Sequence, residues 1–269
     1  MHPSSNNVLF TRIHNVSGMG VGQLIIIAGL AAVLVDIGWR AVYAWLGVIN
    51  LLLLPLVLIG LHQAPLVRAA AKPRQQGPSL TLRQAARTAH FRLLIVVYAI
   101  CGVQDFFVAT HVVAFAEDTG MSALHAGNVL ALMGLTGLIG VLIAGWWSDL
   151  STPLKPTVFC FVIRIGLFSL ILFDQQIPSV VLFALLFGTT FWMTAPLTVI
   201  FARRAFGSAH LGAVSGLIVM VHHICGGLGA YAGALLFDWH GSYQIAFGAM
   251  LILSILALAL SWGLKDRSL

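Results

Sequence analysis

The sequence predicts an all-α polytopic membrane protein, a bundle of about eight transmembrane helices. Three observations carry that prediction. Only 8% of the 269 residues are charged and 59% are hydrophobic, with a mean hydropathy of +0.98, whereas a soluble domain carries about 25% charged residues. So few charges cannot make a water-facing surface, and lipid must cover much of the chain. Uncharged runs recur at the length, roughly 20 residues, that a helix needs to cross the hydrocarbon core of a bilayer. Finally, lysine and arginine collect in alternate connecting segments, the distribution expected when those segments stay cytoplasmic.

The first run, 16–35, opens on Gly18, Gly20 and Gly22 and ends at Asp36-Ile37-Gly38, which reads as a tight break. The second, 39–61, contains Pro55, a residue that commonly kinks a membrane helix. Residues 62–91 change character: Arg68, Lys72, Arg74, Arg83 and Arg87 stand among three prolines with no acid. This is a basic linker with a short helix near 80–89. It serves either to fix topology as a cytoplasmic loop or to bind anionic lipid heads or a regulator. The third run, 92–115, carries Gln104, Asp105 and His111, and the fourth, 126–147, is uncharged and studded with Gly134, Gly137, Gly140 and Gly145. Small residues in an apolar helix let a neighbour approach closely, since lipid supplies no hydrophobic drive between helices. The fifth run, 157–173, is interrupted by Arg164; the sixth, 179–201, holds Trp192 and Pro196. The seventh, 211–237, holds His222, His223, Gly226, Gly227, Gly229 and Gly233, and the eighth is 243–264.

Placing the amino terminus inside puts Arg12, the linker cations, Arg92, Lys155, Arg203, Arg204, Lys265 and Arg267 on the inner side. The outer turns then hold Asp36, Glu117, Asp118, Asp174 and Asp238 against a single cation, Arg40. The expected topology is therefore multi-pass with both ends in the cytosol, in a cell membrane that is expected to be a bacterial cytoplasmic membrane. The formal charge of +6 belongs to the inner membrane face, so nucleic acid is excluded as a partner. Met1–Val16 lacks the basic start and apolar core of a cleavable signal peptide. Cys101, Cys160 and Cys225 lie inside apolar runs without ligand spacing and read as small buried hydrophobes, with no metal and no disulfide expected. The sequence contains no HExxH, GxSxG or P-loop, so no enzyme is predicted.

Three segments together resemble the major facilitator superfamily of secondary transporters. Ser17-Gly18-Met19-Gly20-Val21-Gly22-Gln23 with Gly38-Trp39-Arg40 is similar to that family's fifth helix, its outer turn and the start of the sixth. Gly145-Trp146-Trp147-Ser148-Asp149 is similar to the GxxSD core of the loop between helices eight and nine. Gly226–Phe247 resembles the glycine-rich eleventh helix, its turn and the start of the twelfth. His111, Ala114, Phe115, Asp118 and Gly120 resemble the end of helix seven in monocarboxylate and oxalate/formate carriers. The resemblance implies three parts: a two-helix portion of the amino-terminal bundle (1–61), the basic central loop (62–91) and a six-helix carboxy-terminal bundle (92–269). It implies a chain that starts before helix five, with helices one to four absent. It also implies Gly145, Asp149 and Lys155 as a gating loop, although Leu150 stands where the family has an arginine.

A charge inside a span costs about 2.5–3.5 kcal/mol on insertion scales and persists only beside a partner or a wet cavity. Asp105 and Arg164 are the two such residues. Arg164 could bind a substrate carboxylate through its bidentate fork, pair with Asp105 until substrate arrives, or snorkel to the cytoplasmic interface; Asp105 could equally line a wet vestibule. Gln104 and His111 lie seven apart on one face of a helix. His111, His222 and His223 are candidate proton carriers, but adjacent His222 and His223 point about 100° apart and cannot both face one cavity. Trp192 either packs or stacks on substrate. The candidate substrate set is thus Arg164, Asp105, Gln104, His111, Trp192 and His222, with Gly18, Gly22, Gly229 and Gly233 as helix-packing glycines. The expected function is a secondary transporter of a small organic solute, an organic anion in the sharper form, working by alternating access. No cofactor is expected; coupling is to protons or to a counter-substrate. The alternatives are a truncated, non-transporting remnant and a membrane scaffold or sensor. A missing amino-terminal half or self-association would supply the partner bundle.

Overall fold

A computed structural model describes residues 6–70 and 80–264, and every regular element among them is helical. The elements are α1 (Asn6–Ala70), α2 (Leu82–Arg87), α3 (Ala89–Asp118), α4 (Ala123–Leu150), α5 (Leu154–Phe173), α6 (Ile177–Phe191), α7 (Thr194–Phe206), α8 (Leu211–His240) and α9 (Gln244–Ser261). A short 3-10 turn, Trp262–Leu264, closes the described chain. Seven segments among the described residues are long and apolar enough to cross a membrane, beginning with Asp36–Gly60. The eighth expected span, 16–35, falls partly on residues whose side chains lie outside the described set; within it Ile25–Leu34 is an apolar helical stretch.

The expected break at 36–38 is a kink at Gly38, which adopts φ 73 and ψ 158 between two otherwise helical arms of α1. A side chain would be strained there, so glycine is required. Pro55, by contrast, leaves the helical dihedrals of α1 undisturbed.

The expected helix in the basic linker is α2. Thr81 and Gln84 form a reciprocal capping box that satisfies its first turn. Thr88 then caps α3 by accepting from the Phe91 N–H, and Ser122 caps α4 from the His125 N–H.

The sixth expected span is two helices. α6 and α7 share one apolar segment, Ile177–Phe206, interrupted at Trp192–Met193. The cause lies four residues on: Pro196 has no N–H to offer the Trp192 carbonyl, and its ring crowds that oxygen. The Trp192 carbonyl accepts from Ala195 N–H instead, at 3.3 Å.

Helices α3 and α8, α4 and α6, α5 and α9, and α1 and α4 form the main packed pairs. Glycine lets two of these pairs close. A Cβ at Gly102 would overlap the backbone of His222, and one at Gly229 the backbone of Val103, so α3 and α8 touch backbone to backbone. Gly140 lies against the Thr189 carbonyl and Gly188 against Met133, which does the same for α4 and α6.

Two apolar clusters fill the bundle. One gathers Phe107, Phe115, Phe168, Phe183, Phe187 and Phe247. The other gathers Phe91, Leu94, Cys101, Phe161, Leu197 and Phe201. Along α3 the change from one to the other falls between Cys101 and Phe107, along α5 between Phe161 and Leu167, and along α9 between Met250 and Ala257. Buried polar side chains occupy those gaps: Gln104 and Asp105, Arg164, and Ser254. The bundle therefore carries a polar layer between two greasy ones.

Candidate functional site

Arg164 is the centre of that layer. Its side chain is fully buried, and all five of its N–H groups are engaged. Nε donates to Thr190 Oγ1 at 3.1 Å. Nη1 donates to Gln104 Oε1 at 3.1 Å and to Cys101 Sγ at 3.5 Å. Nη2 donates to Asp105 Oδ1 at 2.5 Å and to the Thr190 carbonyl at 3.2 Å. The ring of Phe187 lies 4.7 Å from the guanidinium carbon.

The Thr190 carbonyl is available because of the helix break. It belongs to the last turn of α6, whose carbonyls have no partner further along the helix. A cation at a helix C-terminus also meets the negative end of its dipole. Pro196 opens the helix, and Arg164 closes the exposed end from α5. Cys160 adds a weak thiol donor to the same oxygen, at 3.8 Å.

Gln104 extends the network to α9. Its Nε2 donates to Ser254 Oγ at 2.6 Å and to the Met250 carbonyl at 2.9 Å. Asp105 faces the other way: its Oδ2 accepts from the Cys101 thiol at 3.4 Å and stands 3.8 Å from His222 Nε2 on α8.

Of the candidate residues, Arg164, Asp105, Gln104 and His222 come together. His111 stands apart: Nε2 donates to the Ala230 carbonyl at 2.9 Å and Nδ1 lies 3.3 Å from the Tyr243 hydroxyl. His223 turns away from Asp105, bonding to the Val219 carbonyl of its own helix at 2.8 Å. Trp192 packs beside Gly137 at the helix break, its indole N–H buried without a partner. In the loop, Asp149 and Lys155 are exposed, and Gly145 has open space where a Cβ would stand. Of the packing glycines, Gly229 and Gly233 lie against α3, and Gly22 has no atom within 4 Å of an added Cβ, so it makes no close helix contact. Gly18 lies outside the residues whose packing is described.

Three partners went unrecognised at the sequence level. Thr190 and Cys101 carried no charge to mark them, and the Tyr98 carbonyl, 3.1 Å from His222 Nδ1, is backbone. Pro196 marked the break after which α6 ends, but its missing N–H belongs to the Trp192 carbonyl, so it did not single out Thr190.

Cys101, Asp105 and His222 each present a ligand atom within 4.8 Å of the others. Arg164 donates to both Cys101 and Asp105, however, so this cluster already holds a cation in the form of a guanidinium.

A family model described as Major Facilitator Superfamily matches residues 14–230 and 94–268. An uncharacterised MFS-type transporter, YcxA of Bacillus subtilis, is 27% identical over 228 residues, covering 80% of this chain and 54% of the relative. Human monocarboxylate transporter 12 is 22% identical over 265 residues, covering 86% of this chain and 51% of the relative. The chain thus spans about half the length of these curated relatives. Among solved structures, the fucose:proton symporter FucP of E. coli superposes with a TM-score of 0.66 at 17% identity, over 88% of this chain and 61% of that one.

Proposed function

The chain belongs to the major facilitator superfamily, and from that premise we propose that it serves secondary active transport of a small organic solute, an organic anion, by alternating access. The observation that carries this reading is the contrast between α8 and the helices behind it. α8 buries one narrow stripe, Val214, Ile218, Gly226, Gly229 and Gly233, and leaves the rest of a membrane-length helix half-buried or exposed. His222 interrupts that stripe and connects the open face to the polar layer. Rocking of one bundle against another around a midplane site needs such a face.

The name of the monocarboxylate transporter relatives supports an anion as the solute class. So does the buried guanidinium, which suits a carboxylate. In the described state Arg164 holds Asp105, so solute would have to displace Asp105 to reach it. The basic residues of the linker and of the α7 end support an orientation with those segments in the cytosol.

The experiment is uptake into proteoliposomes holding the full chain, with a panel of labelled monocarboxylates, dicarboxylates and neutral sugars. Saturable uptake of an anion that drops at least tenfold in both Arg164→Lys and Arg164→Gln supports the reading. Wild-type rates in both variants remove Arg164 from the site. No uptake of any solute by the reconstituted chain, alone or self-associated, favours the alternatives, a non-transporting remnant or a membrane scaffold or sensor.

A further inference from the structure

We propose that His222 Nε2 is a proton-binding site, and that a proton arriving there from the α8 face is held by the spare oxygen of Asp105. The inference deepens the transport reading by naming the coupling ion, and rests on that reading only for its purpose.

The hydrogen-bond geometry sets the tautomer. His222 Nδ1 lies 3.1 Å from the Tyr98 carbonyl oxygen. A carbonyl has no hydrogen to give, so Nδ1 must carry one. In a neutral ring Nε2 is then a bare lone pair. That lone pair faces Asp105 Oδ2 at 3.8 Å. Lone pair and carboxylate repel, and the contact becomes favourable only when a proton occupies Nε2.

Asp105 is divided in a way that fits. Oδ1 is committed to Arg164, whereas Oδ2 has only the weak thiol donor of Cys101. One arm of the carboxylate is fixed and the other is available. The groups facing the imidazole are few. On α3 they are Asp105, the Tyr98 carbonyl, Cys101 beside Asp105, and the Phe106 ring at 6.0 Å. On α8 it is the neighbouring His223 ring at 5.3 Å. From α5, Arg164 stands behind Asp105.

Access is graded in the right order. The His222 side chain is 16% exposed and that of Asp105 is 3%. The imidazole thus stands between the open face and the buried pair. Its backbone is pinned, since the His222 carbonyl presses on Gly102 of α3. Without the proton, Asp105 and Arg164 cancel; with it, the cluster holds one net positive charge. An anion arriving at the α8 face would meet that charge, which ties proton binding to solute binding.

The test is the side-chain nitrogen spectrum of the full chain in nanodiscs, labelled with 15N-histidine, with His222→Asn assigning the resonance. Expected is a neutral His222 protonated at Nδ1, with Nε2 alone gaining a proton between about pH 8 and 5. That transition should vanish from the window in Asp105→Asn and survive in His223→Asn. A neutral ring protonated at Nε2, no transition in the window, or a transition indifferent to Asp105→Asn overturns the proposal. If Asp105→Asn does not fold, the wild-type tautomer and transition decide. The spectrum needs no solute, so its failure leaves the transport reading standing, and failed uptake leaves the proton site standing.

Discussion

Asp105 and Arg164, 59 residues apart on α3 and α5, meet at 2.5 Å between two apolar clusters and share no exposed surface beyond the 3% of Asp105. Neither charge is tolerable alone at that depth. Removing one partner of a buried pair typically costs about 3–5 kcal/mol, because the survivor remains buried and uncompensated. Asp105→Asn and Arg164→Gln should each lower unfolding stability by that order.

The double variant should recover most of the loss. Unfolding of all four proteins in one detergent, analysed as a double-mutant cycle, measures the coupling. Additive losses would mean that the pair does not stabilise the bundle as a pair.

Glycine gives a second contrast. A side chain at Gly229 would collide with the α3 backbone at Val103, whereas one at Gly145 has open space. Backbone against backbone cannot yield by rotating a side chain, so Gly229→Ala should cost about 1–3 kcal/mol. Gly145→Ala should be neutral or slightly stabilising, since alanine is the better helix former. Thermal unfolding of the two variants checks the order.

Much of this was legible in the sequence, and unevenly so. The spans were readable because a bilayer enforces length and apolarity together. Asp105 and Arg164 were readable because charges are rare at such depth. Their meeting was not, since depth along two separate helices says nothing of which faces turn together. Gln104 reaches Ser254 across 150 residues, a contact that only the packed bundle defines. The two prolines show the limit from the other side. Pro196 breaks its span and Pro55 does not, although the local sequence marks both alike.

Asp174 gives a pH prediction outside the spans. Its Oδ1 accepts from the Gln176 N–H at 3.0 Å and its Oδ2 from the Ser179 hydroxyl at 2.5 Å, at the entry to α6. The Ser179 hydroxyl first, and the Gln176 amide second, favour the ionised form and hold the carboxyl below its ordinary value. A depressed folded value means the contribution is present above the unfolded value and disappears as pH falls through the folded one. Amide exchange at Ile177, Ser179 and Val180 should therefore accelerate, relative to α5, below the usual carboxylate range. Asp174→Ala should show that faster exchange already at neutral pH and lose its pH response.

Arg204 supports the last prediction. From the final turn of α7 its Nη2 reaches the Ser148 carbonyl at 3.1 Å and the Ser151 carbonyl at 3.4 Å, where α4 gives way to the loop before α5. Those oxygens end a helix and lack partners within it, and a cation there also meets the negative pole of the helix. The family pattern has an arginine at the position of Leu150; here a cation arrives from another helix instead. Arg204→Gln should loosen 148–155, raising amide exchange in that loop by a few-fold, in line with the loss of about 1 kcal/mol for a partly exposed charged contact. The neighbour Arg203 is exposed on the same turn, so Arg203→Gln serves as the control that changes the same charge. Equal acceleration in both variants would assign the effect to charge alone, and acceleration confined to Arg204→Gln to the clamp between α7 and α4.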